Sequence, residues 1–274
     1  MAIKYIGAPL KEGCTITGAD LAIDKLKTIF TFDAINHVIK KNEDENASMQ
    51  NLNTVTDFLW RLKSIYQQYK DDFVVTVGGD HSLAIASISG HYQPGLGVIW
   101  VDAHGDSNTD LTSISKRIHG VPLSVMQGLG EKRLTDICEG NFIASDSIVL
   151  FGISSLDEKE ETLIKERNIK MFTLEQIKDK GLEVCLDEAI SYLSNKKVYF
   201  SFDLDSIDKQ FCSGVNTPVK SGFSIDQVSY LIDRILNDLN IIGMDVVEYN
   251  PLKDDGNTIK IIMMIKSIIM KHKG

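Results

Sequence analysis

The sequence predicts an α/β fold in which a mostly parallel central sheet is covered by helices on both faces. Strand-like and helix-like stretches alternate throughout the chain, as they do when helical crossovers join parallel strands. Four of the strand-like runs end in aspartate, glutamate or histidine, as expected where strands meet a binding crevice. With 274 residues, 43% of them hydrophobic, the chain fits one large domain over residues 1–274.

The first half of the chain predicts three strands and four helices. Strands are expected where short apolar runs occur, at 3–6, 73–77 and 98–101. Helices are expected where apolar residues recur at helical spacing, at 19–30, 54–69, 82–89 and 121–129. The clearest is 54–69, whose apolar and aromatic residues share one face and so favour core packing over a binding role. Residues without periodicity predict loops at 40–51 and 111–117.

The second half predicts four strands and four helices on the same grounds. The strands are expected at 147–151, 169–172, 198–202 and 241–247. The helices are expected at 156–167, 182–193, 225–239 and 258–271. The last helix is apolar but contains Lys260 and Lys266, so it is too short and too charged to span a bilayer.

Composition and charge exclude several classes of function. The net charge of −9 argues against non-specific nucleic-acid binding and favours a cationic or neutral small substrate. The four cysteines are scattered without a C-x-x-C pair, which predicts neither a zinc–thiolate site nor a disulfide framework. The N-terminus has no basic-then-apolar segment. We therefore expect a cytoplasmic enzyme that binds neither nucleic acid nor membranes.

The most informative stretch follows the apolar run 98–101. Asp102, His104 and Asp106 occur there at positions i, i+2 and i+4, which in extended chain places all three side chains on one side. Unpaired buried charge is very costly, so these groups need partners, and a divalent cation is the simplest one. From this stretch alone, a strand that runs out into a solvated acidic turn is the alternative.

Three other apolar runs end in the same way. The run 73–77 is followed by Asp80 and His81, and the run 198–202 by Asp203, Asp205 and Asp208. The run 241–247 ends at Glu248. Since the ligand crevice of an open parallel sheet lies outside the carboxyl ends of its strands, these residues are expected to meet at one site.

These motifs together resemble the arginase or ureohydrolase superfamily. The resemblance covers the chain from about residue 5 to 251, in the family's order. The matching motifs are Gly-Gly-Asp80-His81-Ser, Asp102-Ala-His104-Gly-Asp106, Ile118-His119-Gly-Val-Pro122, Ser201-Phe-Asp203-Leu-Asp205-Ser-Ile-Asp208 and Asp245-Val-Val-Glu248-Tyr-Asn-Pro251. The resemblance implies an arginase-like fold and the hydrolysis of a guanidino compound.

The resemblance also implies a binuclear metal centre with two Mn²⁺ per chain. Asp102 and Asp203 would bridge the ions. His81 and Asp106 would complete one site, and His104 and Asp205 the other. Oxygen and imidazole ligands without thiolate also suit iron, cobalt, nickel or zinc. Metals roughly 3.5–4 Å apart can share one water and lower its pKa.

Two further residues acquire catalytic roles through the resemblance. Glu248 would bind the guanidinium nitrogens of the substrate, and His119 would shuttle protons; Asp106 is placed in the same catalytic set. From its local sequence alone, His119 is an ordinary loop histidine. Asp80 and Asp208 are expected to support a loop and a turn, or alternatively to orient the ligand histidines.

Substrate choice depends on the loops beside the metal motifs. By resemblance, Asn108 and Ser115 would contact the substrate's α-carboxylate and Asp157 its α-amino group. Thr217 is assigned to the same substrate-binding set. The chain departs from the family nearby, because Lys116-Arg117 stands where Gly-Asn is common, Ser154-Ser155 where Arg-Asp is common, and Lys209 where Pro is usual. These departures affect specificity and contacts between subunits, and they leave the metal set unchanged.

The sequence thus predicts hydrolysis of L-arginine to L-ornithine and urea. The nearest alternatives are another ureohydrolase that acts on agmatine, a guanidino acid or formiminoglutamate. A non-catalytic protein stabilised by metal would not need His119 and Glu248, and a zinc-dependent deacetylase would not need ligands for two metals. The family often forms trimers or hexamers, so a homo-oligomer is expected.

Overall fold

Eight strands form one sheet, and all pairings between them are parallel, in a computed structural model that describes residues 2–274. The strands are β1 (Ile3–Ala8), β2 (Ala34–Ile35), β3 (Phe73–Gly78), β4 (Gly97–Val101), β5 (Ile148–Ile153), β6 (Lys170–Thr173), β7 (Lys197–Asp203) and β8 (Asn240–Val247). Their order across the sheet is β2-β1-β3-β8-β7-β4-β5-β6. The predicted α/β class is confirmed.

Helices connect the strands and cover both faces of the sheet. They are α1 (Ala22–Leu26), α2 (Leu52–Tyr66), α3 (Ala84–Gly90), α4 (Pro122–Met126), α5 (Lys132–Thr135), α6 (Glu158–Glu166), α7 (Leu174–Lys180), α8 (Leu182–Leu193), α9 (Ile225–Asp238) and α10 (Thr258–Lys273). Residues of α1, α7, α8, α9 and α10 contribute to the core on one face, and residues of α2, α3, α4 and α6 to the core on the other. Over residues 2–274, none of these helices is long and apolar enough to cross a membrane.

Strand alternation explains why the central strands are apolar throughout. In β4, Ile99 and Val101 pack into one core, whereas Val98 and Trp100 pack into the other. Each of these four residues is fully buried. A strand covered by helices on both faces must be apolar at successive positions, so such a run shows no alternation of polar and apolar residues.

Several boundaries differ from the predicted ones. The helix predicted at 19–30 consists of a 3₁₀ turn at Ala19–Leu21 followed by the short α1, because the chain then turns toward β2. The helix predicted at 121–129 ends at Met126, and Gly128 follows with φ +80°. Three short elements, β2, α5 and α7, were not predicted. The capping box formed by Thr173 and Gln176 was a sequence signal for α7.

The strand order positions the site. The four runs that end in acidic or histidine residues are β3, β8, β7 and β4, and these are consecutive neighbours in the middle of the sheet. Their carboxyl ends therefore open onto one common crevice.

His91, which follows α3, makes folding stability dependent on pH. Its ring lies between those of Tyr66 and Tyr199, with centroids 5.0 and 5.1 Å away, and its Nδ1 is 2.6 Å from the Ser87 carbonyl oxygen. Burial lowers the pKa of this imidazole to about 4. The unfolded chain therefore binds a proton as pH falls below about 6.5, while the folded chain does not until about 4, so stability is lost across that window.

We expect His91→Phe to reduce this acid-induced loss by about 1–3 kcal/mol. The measurement is the free energy of unfolding by denaturant at several pH values between 6.5 and 4.5. His37→Gln, at an exposed position, serves as the control and should follow the parent protein. An unchanged pH dependence in His91→Phe would contradict the assignment.

Candidate active site

The six side chains predicted to bind metal converge at the crevice. His81 begins the 3₁₀ turn after β3, and Asp102, His104 and Asp106 lie in the loop after β4. Asp203 ends β7, and Asp205 lies in the 3₁₀ turn that follows it. His81 and Asp102 are fully buried at the base, and the other four line a cavity of about 260 Å³.

One group of atoms able to coordinate a metal surrounds His81 Nδ1. That atom lies 3.0 Å from Asp102 Oδ2, 3.1 Å from Asp203 Oδ2 and 3.2 Å from Asp106 Oδ2. This nitrogen is buried and has no hydrogen-bond partner among residues 2–274. It is thus aimed at a point where three carboxylate oxygens meet.

A second group of donor atoms lies beside the first. His104 Nδ1 is 3.2 Å from Asp205 Oδ2 and 3.5 Å from Asp102 Oδ1. Asp205 Oδ1 is likewise buried, with no hydrogen-bond partner in the described part of the chain. Asp102 therefore turns one carboxylate oxygen toward each histidine, which is the arrangement expected of a bridging ligand.

These residues fit a pair of divalent ions. Donor atoms that share an ion at bond lengths of about 2.1 Å are separated by about 3.0 Å in an octahedral shell, which matches the spacings around His81. Burial, and then the charge of Asp102, raise the pKa of Asp205 to about 6 against the opposing effect of His104. Burial and the neighbouring carboxylates also raise the pKa of Asp203 well above its usual value. Bound cations would relieve this repulsion between buried acids.

A chain of hydrogen bonds that ends on one buried acid, Asp245, orients the His81 ring. His81 Nε2 lies 2.9 Å from Ser201 Oγ, and the Ser201 hydroxyl donates to Asp245 Oδ2 at 3.4 Å. Asp245 also accepts from the hydroxyls of Tyr199 and Ser87, and burial raises its pKa to about 6. With Nε2 as the donor to Ser201, Nδ1 keeps a lone pair for a metal. Sequence reasoning missed this role of Asp245.

Trp100 is a second supporting residue that sequence reasoning missed. Its ring stacks on His81 with centroids 3.9 Å apart and planes 8° from parallel. Its Nε1 donates to Asp102 Oδ2 at 3.0 Å. Trp100 therefore holds one histidine and one carboxylate in fixed orientations. Its position in an apolar run had predicted only packing in the core.

The i, i+2 spacing of the acidic motifs has a local structural cause. The Asp102 carboxylate accepts the backbone N–H of His104 at 2.8 Å, and Asp203 accepts that of Asp205 at 2.7 Å. Each aspartate thus closes a tight turn that carries the next ligand back into the site. Asp106 completes the loop with φ +43°, in the left-handed region that favours glycine.

Glu248 and His119 lie side by side at the wall of the cavity. Glu248 Oε1 accepts the backbone N–H of His81 at 3.0 Å and lies 3.3 Å from His119 Nδ1. Its Oε2 accepts from Asn216 Nδ2 at 3.0 Å, a contact that sequence reasoning missed. Although burial acts in the opposite direction, the His119 contact lowers the pKa of Glu248.

Three of the four predicted substrate-binding residues line the cavity. Asn108 Nδ2 donates to Asp157 Oδ2 at 2.8 Å, and the Thr217 hydroxyl donates to Asp205 Oδ2 at 2.6 Å. Ser115 is instead exposed in the neighbouring loop, where its hydroxyl accepts the Arg117 N–H at 3.3 Å. Lys116 has φ +57°, a left-handed backbone conformation that glycine adopts more easily than lysine does.

Glu160 is an additional acid in the cavity that was not predicted. It belongs to α6, it is buried, and its Oε1 accepts the backbone N–H of Ser107 at 2.8 Å. Burial raises its pKa to about 8. Glu160 therefore adds a further carboxyl group to the cavity lining, which also includes Glu248.

Asp80 and Asp208 have the supporting contacts expected of them. The Asp80 carboxylate accepts the backbone N–H groups of Gly13, Cys14 and Ser82, which joins the loop after β1 to the loop after β3. Asp208 Oδ1 accepts the N–H of Gln210 and so closes a turn.

Comparison with known proteins gives one consistent result. A model of the arginase family matches residues 5–270. The chain is 34% identical to the arginase of Bacillus caldovelox, with 93% of each protein covered, and 36% identical to that of Bacillus subtilis (strain 168), with 93% of this chain and 92% of the relative covered. A crystal structure of Entamoeba histolytica arginase in complex with L-ornithine superposes with a TM-score of 0.90, at 28% identity and 98% coverage of both chains.

Proposed function

The chain belongs to the arginase family, and from this membership and the geometry of its site we propose that it hydrolyses L-arginine to L-ornithine and urea. The protein acts as a single arginase-like metallohydrolase domain. The observation that carries the proposal is the cavity in which His119 and Glu248 adjoin six convergent metal-ligand residues. A metal that only stabilised the fold would need neither of these two.

The metal centre would take two Mn²⁺ per chain. When bound, such a pair would lower the pKa of a water and so supply the nucleophile for attack on the guanidinium carbon. His81, Asp106, Asp102 and Asp203 would hold one ion, and His104, Asp205, Asp102 and Asp203 would hold the other. Manganese suits a set of four carboxylates and two imidazoles without thiolate, and other divalent metals suit it as well.

Glu248 binds the guanidinium group. Its carboxylate is fixed by the His81 N–H and by Asn216, so it does not need to be reoriented when substrate arrives. A buried carboxylate with a lowered pKa is a strong acceptor for guanidinium N–H donors. It therefore orients the guanidinium plane and its central carbon.

His119 carries the proton that the leaving amine needs. Its ring lines the cavity and keeps Nδ1 at 3.3 Å from Glu248, which stabilises the protonated imidazole. A protonated histidine beside the bound guanidinium can donate a proton to the departing ornithine nitrogen and recover it from solvent.

The amino-acid end of arginine lies toward Asn108 and Asp157. The Asp157 carboxylate pairs with the α-ammonium group, and Asn108 contacts the α-carboxylate. Ser115, which the resemblance assigned to the same role, lies outside the cavity lining and takes no part in this proposal. Thr217, which bonds to Asp205, contacts the substrate beside the metal centre.

The direct test is urea release after loading with Mn²⁺, measured on L-arginine, agmatine, a guanidino acid and formiminoglutamate. L-Arginine is expected to be the best substrate. A preference for another member of the panel would reassign the substrate within the superfamily, and the absence of product from all of them would reject the proposal.

His119→Ala is expected to lower turnover of arginine by about 10²–10⁴-fold, because proton transfer to the leaving amine loses its donor. Metal content should stay at that of the parent, since His119 is not in the six-residue ligand set. The measurement is kcat together with metal analysis of the same sample. His37→Ala, in an exposed stretch, is the matched control. Turnover equal to that of the parent would reject the proton-shuttle role.

Composition and family membership support the part of the proposal that concerns localisation and assembly. The acidic composition suits a cytoplasmic enzyme that binds neither nucleic acid nor membranes. The chain assembles as a homo-oligomer, a trimer or a hexamer. Sedimentation at low and high concentration tests the assembly.

A further inference from the structure

A third group of metal-ligand atoms adjoins the six-residue set. It consists of the Cys14 thiol, the His119 ring and the Glu248 carboxylate, and one ligand atom of each lies within 4.8 Å of the others. Cys14 belongs to the loop after β1, His119 belongs to a 3₁₀ turn, and Glu248 directly follows β8. Their separation along the chain hides this group from any spacing rule.

Hydrogen bonds from backbone N–H groups hold Cys14 and His119 in place. The buried Asp80 carboxylate accepts the N–H of Cys14 at 3.1 Å and that of Gly13 at 2.9 Å. The His119 N–H donates to the Gly13 carbonyl oxygen at 3.3 Å. At Gly13, a Cβ would lie 1.9 Å from the Ser82 hydroxyl oxygen, so the close approach of the two loops requires glycine. The side chains of Cys14 and His119 are therefore held in position before any ion binds.

The chemistry of the group suits zinc. Zinc binds thiolate, imidazole and carboxylate ligands, and around a tetrahedral ion their nitrogen and oxygen donor atoms lie about 3.3 Å apart. His119 Nδ1 and Glu248 Oε1 are 3.3 Å apart. Thiolate ligands favour zinc or cadmium, whereas the carboxylate-rich set nearby favours manganese. The cavity thus adjoins two different metal-ligand sets, one with a thiolate that suits zinc and one rich in carboxylates that suits manganese.

We propose that Cys14, His119 and Glu248 form an inhibitory zinc site, separate from the six-residue centre. Cys14 is fully buried, whereas His119 and Glu248 line the cavity, so the ion enters from the cavity. On binding, the Cys14 thiol and the protonated His119 imidazole each release one proton to solvent, so that a thiolate and a neutral imidazole coordinate the ion, and no oxidation occurs. Because the ion is then coordinated by Glu248 and His119, neither is available for the guanidinium binding and proton transfer assigned to them. Inhibition rests on the proposed function, whereas binding does not.

Binding is tested without any activity measurement. The protein with its manganese in place is titrated with Cd²⁺, which gives a sulfur-to-cadmium charge-transfer absorption when a thiolate coordinates it. We expect the absorption to saturate at one Cd²⁺ per chain while manganese is retained. Cys14→Ser and Cys14→Ala should lose it. Cys138→Ser changes a buried cysteine whose sulfur accepts a hydrogen bond from the Ser89 hydroxyl, and this variant should keep the absorption.

Inhibition is tested on the same proteins with Zn²⁺ and arginine. The parent should be inhibited competitively, and Cys14→Ser should require at least about 10–100-fold more Zn²⁺ for half-inhibition of its own rate. Circular dichroism of each variant confirms that it is folded. An unchanged cadmium absorption in both Cys14 variants, or manganese release that accounts for all bound cadmium, would overturn the site. If no guanidino substrate is hydrolysed, the proposed function is rejected. The cadmium titration still shows whether Cys14, His119 and Glu248 bind a metal ion.

Discussion

Asp102→Asn is expected to remove both metal ions and to reduce arginine hydrolysis to background. The Asp102 carboxylate has one oxygen 3.0 Å from His81 Nδ1 and the other 3.5 Å from His104 Nδ1, so it contributes to both groups of donor atoms. An amide at this position offers one weak acceptor in place of two anionic oxygens. Without the shared ligand, neither group retains enough negative charge to hold a divalent ion.

The measurement is metal content per chain after dialysis, together with urea release. Asp203→Asn should behave in the same way, because Asp203 is the second proposed bridge. Asp208→Asn is the matched control, since Asp208 lies five residues from Asp203 and its carboxylate bonds to the Gln210 N–H. One tightly held zinc per chain in a fully active preparation would contradict the binuclear assignment.

L-Arginine is expected to be preferred to agmatine by on the order of 10⁴-fold in kcat/KM. Agmatine lacks the α-carboxylate, so donors arranged to bind that group are left without a partner. Steady-state kinetics on the two substrates with manganese-loaded protein measures the ratio. Equal or faster turnover of agmatine would overturn the arginine assignment while leaving metal-dependent hydrolysis intact.

Asp157 is the residue through which this preference is best tested. Its Oδ2 accepts from Asn108 Nδ2, and its Oδ1 caps α6 by accepting the N–H groups of Lys159 and Glu160. Asp157→Ala therefore removes the partner of the substrate's α-ammonium group and also a helix cap, whose loss costs about 0.5–2 kcal/mol of stability.

Asp157→Asn separates these two effects, because asparagine keeps an oxygen for the cap and loses the charge. We expect both variants to lose kcat/KM on arginine, and only Asp157→Ala to lose thermal stability. Retained kcat/KM in Asp157→Asn would show that Asp157 acts on the fold and not on the substrate.

Much of the fold was determined by local sequence. The apolar runs that became β3, β4, β7 and β8 are buried on both faces, so their pattern is visible in a few consecutive residues. The strand predictions came close to the observed bounds for this reason. Short elements such as β2 and α5 were missed, because two to four residues are too few for a period to emerge.

The candidate metal ligands were identifiable from sequence for a related physical reason. Asp102 and Asp203 each cap the turn that follows their strand, so their i, i+2 partners lie close by in the chain. Parallel strands then bring these separate turns to one edge of the sheet. Ser115 shows the limit of this reasoning, because the conformation of a long loop places it outside the cavity lining described above.

The tertiary structure alone decided which residues support and adjoin the site. Trp100 and Asp245 lie within apolar strands, and their contacts with His81 and Ser201 depend on how separate strands are arranged in the sheet. Cys14 was expected to have no metal role because no second cysteine is near it in sequence, yet it lies beside His119 and Glu248. The spacing of apolar residues in the sequence indicates only which nearby residues are buried. The distances between residues 14, 119 and 248 depend instead on the order of the strands across the sheet.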